Sequence, residues 1–202
     1  MNMHMPQNVM AETELKNLAA IPYQIVSPAS SSPIIGIFQD SMLGSYRFTR
    51  PNLKFTPQQV MNLLMMYPNV DIGKLNKKEY TSFDVLSQIM PPMTMKRKTG
   101  LYDENDDYET SNNVLEIRNG EFMRGQLDKK CFGNNGITHR IFNDFGNRPA
   151  SDFIDNLQNI ITEYMKSSAF SVGISDLIAD KKTTDSIIQA ITAQKQEVQS
   201  II

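Results

Sequence analysis

The stretch PIIGIFQDSMLGSYRFTR, residues 33–50, constrains the fold more than any other part of this 202-residue chain. Its first six residues, 33–38, form a short apolar run rich in β-branched side chains, which predicts a buried strand. Asp40 is a predicted N-cap, because its carboxylate can accept the unpaired N–H groups of a following helix. Met42 and Tyr46 then lie at helical spacing. The stretch therefore predicts a strand-to-helix corner, which by itself requires no function beyond a place in a globular fold.

Turn and capping signals around this corner predict an α+β fold of mixed helices and short antiparallel hairpins. Thr56 and Gln59 form a capping-box pattern, with Pro57 at the first helical position. Asn119-Gly120 between two apolar runs predicts a type I′ hairpin turn. The other predicted elements are a helix over residues 12–20, a strand over 23–27 paired with the corner strand, loops over 69–81 and 93–112, an apolar segment over 83–89, and amphipathic helices over 137–145, from Ser151 onward and over 187–202.

Composition excludes several classes of protein. With 40% apolar residues, 21% charged residues and a net charge of −2, neither wholesale disorder nor a strong electrostatic grip on nucleic acid is indicated. Cys131 is the single cysteine, which excludes an intramolecular disulfide framework, and His4 and His139 have no neighbours at zinc-ligand spacing. The apolar run 63–67 is far shorter than the roughly 20 residues of a membrane span. No secretory signal pattern is present at the first residues.

Motifs for self-contained chemistry are missing or incomplete in this sequence. There is no GxxxxGK[ST] phosphate loop, no GxGxxG and no GxSxG pattern. Asp103, Asn105 and Asp107 are spaced like the first ligands of a calcium loop. However, the sixth position of that loop is Tyr108 in place of glycine and the twelfth is Val114 in place of glutamate. Calcium binding is therefore a weak hypothesis.

Three stretches together resemble one protein family, in its order and at about its spacing. They are MNMHMPQ at residues 1–7, Ser27-Pro28 followed by residues 33–50, and FSVGISDLIAD at residues 170–180. Each is similar to the largest subunit of multisubunit DNA-directed RNA polymerases, around the pore domain. The resemblance runs from the first residue almost to the last, apart from residues 69–112, where little matches beyond 83–92.

The resemblance implies a function in DNA-templated RNA synthesis, with magnesium as the cofactor of the assembled polymerase. In the family, the string that resembles residues 1–7 follows the loop whose three aspartates bind the catalytic magnesium. Those aspartates are not in this sequence, so it is expected to be a fragment or the product of a split gene. Alone, the chain is expected to bind no magnesium and to be inactive.

Four polar residues are the candidate site residues that the resemblance implies. Gln39 matches a glutamine that faces the pore through which nucleoside triphosphates enter, where an amide can donate to phosphate without trapping it. Asn2, His4 and Gln7 match positions adjoining the catalytic loop and are expected to support its shape. No catalytic residue and no metal ligand is assigned to this chain.

The resemblance also implies domains, partners and a location. Residues 1–10 would follow the catalytic loop, residues 11–175 would form the pore domain, and residues 176–202 would begin the funnel domain. Expected partners are the second-largest subunit, the remainder of the largest subunit, the DNA template, RNA and nucleoside triphosphates, with no membrane. The strings AETELKNLAA and GIFQDS resemble polymerases of large DNA viruses, which implies such a virus as the source. The protein would then be inside the cell, in host cytoplasm or nucleus, or in the virion.

One hypothesis of another class stays open beside the polymerase hypothesis. A free-standing interaction module could keep a polymerase-like shape and bind polymerase surfaces without catalysis. A coding sequence upstream that ends in an aspartate-rich loop would favour the polymerase section, and its absence from the genome would favour the module.

Overall fold

The computed structural model describes residues 2–201. Met1 of the predicted N-terminal string and Ile202 of the predicted last apolar stripe lie outside the described residues. The chain divides into two compact units, Met1–Ser167 and Ser168–Ile202. The predicted domain boundaries at 10/11 and 175/176 stay predictions.

Helices and short antiparallel strands make up the structure, which confirms the predicted α+β class. The helices are α1 (Val9–Glu14, continued by a π-helical turn, Leu15–Ala19), α2 (Gln39–Phe48), α3 (Pro57–Leu63), α4 (Ser82–Ile89), α5 (Lys129–Phe132), α6 (Ile137–Phe145), α7 (Asn147–Ser168), α8 (Ile174–Leu177) and α9 (Lys181–Ile201), with 3-10 turns at Ile21–Gln24 and Ile72–Lys74. The strands are β1 (Val26–Ser27), β2 (Ser32–Pro33), β3 (Lys54–Phe55), β4 (Tyr80–Thr81), β5 (Met95–Lys98), β6 (Val114–Arg118) and β7 (Glu121–Arg124). They form the antiparallel pairs β1–β2 and β3–β4 and the three-stranded sheet β5–β6–β7.

The predicted strand-to-helix corner is half right. Helix α2 is confirmed, but the predicted buried strand over 33–38 is wrong, because the β1–β2 ladder ends at Pro33. The next two amides, of Ile34 and Ile35, both converge on the carbonyl oxygen of Ile25, so the chain turns away from the ladder. Within the run only Ile37 is fully buried, whereas Ile34 and Phe38 are more than half exposed. An apolar run alone therefore did not indicate which residues pair.

The predicted cap of this helix is also wrong. Phe38 is the N-cap of α2 and makes no side-chain capping bond, and Asp40 is the second helical residue. A carboxylate in the first turn still interacts favourably with the helix dipole, although it does not receive the capping hydrogen bonds.

Capping and turn predictions elsewhere are confirmed. Thr56 and Gln59 form both bonds of a capping box with Pro57 in the first turn of α3. Asn119 and Gly120 have φ angles of 47° and 80°, as a type I′ turn between β6 and β7 requires. The long amphipathic helix is confirmed as α7 and the last one as α9.

Three element boundaries differ from prediction for local reasons. Helix α1 begins at Val9, because the Asn8 side chain accepts the Ala11 N–H as a cap. Helix α7 begins at Asn147, since Pro149 falls in the first turn, where its missing N–H costs nothing. The predicted strand over 23–27 is reduced to β1, because a 3-10 turn occupies its start.

The predicted loop over 93–112 contains a strand. Residues Met95–Lys98 form β5 and pair with β6, although three of the four side chains are basic. The remainder is a loop, and an ion pair joins it to the strand, since Lys96 Nζ of β5 lies 2.7 Å from a Glu109 carboxylate oxygen.

One hydrophobic core fills the first unit. It contains the buried faces of α4, α6 and α7 and the inner residues of the sheet, such as Leu115 and Ile117. Helix α4 packs on β7, where Phe83 stacks on Phe122 with ring centroids 5.4 Å apart. The same core also contains Phe48, so α2 packs against the elements that form it.

The second unit consists of α8 and α9. Asp180 caps α9 by accepting the Thr183 N–H at 2.9 Å. The apolar stripe of α9 is at least half exposed at its described positions, Ile187, Ile188, Ile191, Val198 and Ile201. Among residues 2–201, no helix combines the length and the apolar character that crossing a bilayer needs.

Candidate functional site at the start of helix α2

Gln39, the predicted pore residue, is the first residue of α2 and is exposed. Its φ angle is 48°, in the left-handed region that glutamine rarely occupies. The neighbouring Phe38 side chain is also exposed, at 59%. The structure thus presents an amide on a strained backbone at the surface, which is a feature that clusters at functional positions.

Helix α2 approaches α7 very closely at Gly44. A Cβ atom at Gly44 would overlap Cγ2 of Ile161 and would lie 3.0 Å from Cγ of Met165. Only glycine allows the backbone of α2 to lie this close to its neighbour. The middle of α2 is therefore fixed against α7.

An aromatic cluster fixes the same helix one turn later. The Phe48 ring packs edge-on against Tyr164 of α7, with centroids 5.1 Å apart, and lies 5.5 Å from the Phe55 ring of β3. Phe48 is fully buried. Such ring pairs add about 0.5–1.5 kcal/mol beyond the area that they bury.

The predicted residues of the N-terminal string also lie on the surface. Asn2, His4 and Gln7 are exposed on irregular backbone ahead of α1. The Gln7 amide donates to the Met5 carbonyl oxygen at 3.1 Å. In the part of the chain that the structure describes, no hydrogen bond joins these three residues to Gln39. Their roles stay predictions.

Nothing in the described range fits a magnesium site. Between residues 2 and 201, no group of three or more His, Cys, Asp or Glu side chains is placed to bind a metal ion. The expectation that the magnesium ligands lie outside this chain stays a prediction.

A buried ion-pair cluster on the sheet was not predicted from the sequence. Glu116 of β6 is 5% exposed and accepts hydrogen bonds from Arg124 of β7 at 2.9 Å and from Arg118. The Arg124 hydrogen bond is the largest of the interactions that lower the pKa of the Glu116 carboxyl. Arg124 also donates to the carbonyl oxygens of Tyr108 and Ser111. The cluster anchors the loop between β5 and β6 to the sheet.

Cys131 is also structural. Its thiol is buried, and burial raises its pKa to about 12. Since the thiolate is the reactive form, this side chain is inert at neutral pH.

A substitution at Gln39 tests whether its backbone is strained. Gln39→Val is expected to lower the free energy of unfolding by roughly 1–2 kcal/mol, because a β-branched residue tolerates positive φ poorly. Gln39→Asn should leave stability unchanged within about 0.5 kcal/mol, since asparagine accepts the left-handed region. Urea unfolding of the three chains gives the comparison.

The matched control is Gln58→Val, at an exposed position in the first turn of α3. Gln58 is not among the positive-φ residues, so only helix propensity changes there, by a few tenths of a kcal/mol. Equal losses at both positions would contradict strain at Gln39.

Comparisons with known proteins locate this architecture in one family. The sequence model described as RNA polymerase Rpb1, domain 3, matches residues 24–177, which include α2, the sheet and α7. DNA-directed RNA polymerase II subunits RPB1-B and RPB1-A of Trypanosoma brucei brucei are each 29% identical to this chain over 208 residues. Both alignments cover 100% of this chain and 12% of the relative. The chain thus spans about an eighth of the length of these relatives.

Proposed function

The chain belongs to the RNA polymerase Rpb1, domain 3, family, and on this premise we propose that it is a section of the largest subunit of a DNA-directed RNA polymerase. In this proposal the chain forms the wall of the nucleotide-entry pore. The observation that carries the proposal is the family match over residues 24–177. The similarity of the whole chain to two RNA polymerase II largest subunits supports it.

Within this proposal, Gln39 faces the pore. Its exposure and its place at the start of a helix fixed through Gly44 and Phe48 support this role. The side-chain amide can donate a hydrogen bond to a passing triphosphate, and it carries no charge that would retain the nucleotide. Residues Asn2, His4 and Gln7 would lie beside the catalytic loop of the assembled enzyme and support its shape.

The activity proposed for the assembly is DNA-templated RNA synthesis, with magnesium bound by residues outside this sequence. The chain contributes a surface that guides nucleotides, and alone it is expected to be inactive. Its proposed partners are the second-largest subunit, the remainder of the largest subunit, template DNA and the RNA product. The pore and funnel boundaries, a source in a large DNA virus, and a location in host cytoplasm, nucleus or virion belong to the same proposal.

The competing proposal is a free-standing module that binds polymerase surfaces without taking part in catalysis. The predominantly exposed apolar residues of α9 and of α1 would suit an interaction module equally well. The two proposals differ in which polypeptides accompany the chain.

Co-purification of the tagged chain from its native source distinguishes them. We expect mass spectrometry to find the second-largest subunit and an aspartate-loop polypeptide without a copy of Rpb1 domain 3, and we expect the preparation to synthesise RNA on a template. A largest subunit that already contains its own Rpb1 domain 3 would instead favour the free-standing module. A matched preparation from untagged cells controls for background activity. Recovery of the chain alone and without activity would overturn the polymerase proposal and remove the proposed role of Gln39.

A further inference from the structure

A buried hydroxyl joins the end of α2 to the segment that follows β7. Thr49, directly after α2, is fully buried. Its Oγ1 donates to the Ser45 carbonyl oxygen at 2.8 Å and accepts the Leu127 N–H at 2.8 Å. Leu127 is buried as well, so its N–H has no access to water. The hydroxyl therefore satisfies the buried Leu127 N–H and links it to the Ser45 carbonyl oxygen, which also accepts the Thr49 N–H at 3.1 Å.

Two amide side chains extend this junction. Asn112, just before β6, donates from Nδ2 to the Thr49 carbonyl oxygen at 3.4 Å and accepts the Gly125 N–H at 3.2 Å. The Gln126 amide donates to the Tyr46 carbonyl oxygen at 3.3 Å. The last turn of α2 is thus hydrogen-bonded to the residues just before β6 and to those just after β7.

The junction, the Gly44 contact and the Phe48 ring cluster together determine the direction of α2. A ten-residue helix is about 15 Å long and moves as a rigid body. With its middle packed on α7 at Gly44, a shift of the Thr49 end displaces the opposite end, where Gln39 lies. Loss of the hydroxyl would therefore displace Gln39, although the two residues are at opposite ends of the helix.

We propose that Thr49 is a positioning residue for Gln39, because its hydroxyl fixes the angle of α2 and so the place of the Gln39 amide. This inference rests on the proposed pore role of Gln39. It assigns to a buried core threonine an effect on nucleotide entry.

The test compares Thr49→Val with Thr49→Ser in the assembled polymerase. Valine keeps the shape but can neither accept the Leu127 N–H nor donate to Ser45, whereas serine can do both. We expect Thr49→Val to raise KM for nucleoside triphosphates about threefold to tenfold, the equivalent of one hydrogen bond, with kcat unchanged. Thr49→Ser should restore KM. Amide hydrogen exchange at Leu127 should be faster in the valine variant only.

A double-mutant cycle with Gln39→Ala shows whether Thr49 acts through Gln39. In the Gln39→Ala background, Thr49→Val should raise KM no further. The matched control is Thr192→Val in α9, where the hydroxyl makes the same bond to a carbonyl four residues earlier, at 2.8 Å, but accepts no N–H. That variant should keep the wild-type KM.

The outcomes separate this inference from the proposed function. If Gln39→Ala leaves KM unchanged, the proposed pore role fails and the inference fails with it. If Gln39→Ala raises KM but Thr49→Val does not, or if the two effects add, the pore role stands and the inference is overturned. Should Thr49→Val fail to assemble, Thr49→Ala replaces it under the same criteria, because alanine also lacks the hydroxyl that accepts the Leu127 N–H.

Discussion

Gly125→Ala is expected to lower the free energy of unfolding by about 3 kcal/mol or more, because it combines backbone strain with a steric overlap. Gly125 has a φ angle of 120°, which L-residues rarely adopt. A Cβ atom there would overlap Cα of Leu115 in β6 and would lie 3.0 Å from Cδ1 of the same residue. Backbone cannot move aside as the end of a flexible side chain can. Urea unfolding of the chain gives the measurement.

Two other glycines separate the contributions to this loss. Gly146 also has positive φ, at 96°, but a Cβ there would meet no atom within 4 Å. Gly146→Ala should therefore show the cost of strain alone, about 1–2 kcal/mol. Gly36 has neither feature, so Gly36→Ala should be neutral or stabilise by up to about 1 kcal/mol. A loss at Gly125 no larger than that at Gly146 would contradict the close approach to β6.

Two features of the fold that depend on near neighbours could be predicted from the sequence, although the cap of α2 could not. The capping box at Thr56 and the Asn119-Gly120 turn follow from residues within four positions of each other. Strand pairing does not follow from such near neighbours. The apolar run 33–38 suited a strand better than basic Met95–Lys98, yet the latter forms the longer ladder because β6 lies beside it. Partner strands, more than intrinsic preference, decide which segments become β.

The candidate site was only partly predictable, for a similar reason. The sequence pointed to Gln39, but glutamine gives no signal of the positive φ angle that α2 imposes on it. The position of Thr49 in a hydroxyl junction depends on Leu127, 78 residues later. The ion pair of Glu116 was missed because a regular hairpin around the two-residue turn would pair Glu116 with Met123. A register shift at Glu116/Ile117 places it opposite Arg124 instead.

Arg124→Met should lower the free energy of unfolding by roughly 3 kcal/mol at pH 7, because it leaves the buried carboxylate of Glu116 without its main partner. Arg124 is itself largely buried, with 14% of its side chain exposed, whereas Arg118 is 65% exposed and compensates poorly. The loop carbonyls of Tyr108 and Ser111 lose their donor as well. The control is Lys54→Met, which removes the exposed pair with Glu79 and should change stability little.

The pH dependence of this loss identifies Glu116 as its origin. In the wild-type chain the folded-state pKa of Glu116 is lowered, mainly by Arg124, so its contribution to stability is full above the ordinary carboxyl range and is lost as pH falls through the lowered pKa. In Arg124→Met the largest of the lowering interactions is removed, while those of Arg118 and the burial remain. Glu116 therefore takes up a proton at a higher pH than in the wild-type chain, and it then no longer carries a poorly compensated buried charge. The stability difference between the two chains should therefore shrink as pH falls from 7 toward about 3, below the ordinary carboxyl pKa. A difference that stayed constant over this range would assign the loss to the loop carbonyls and not to the ion pair.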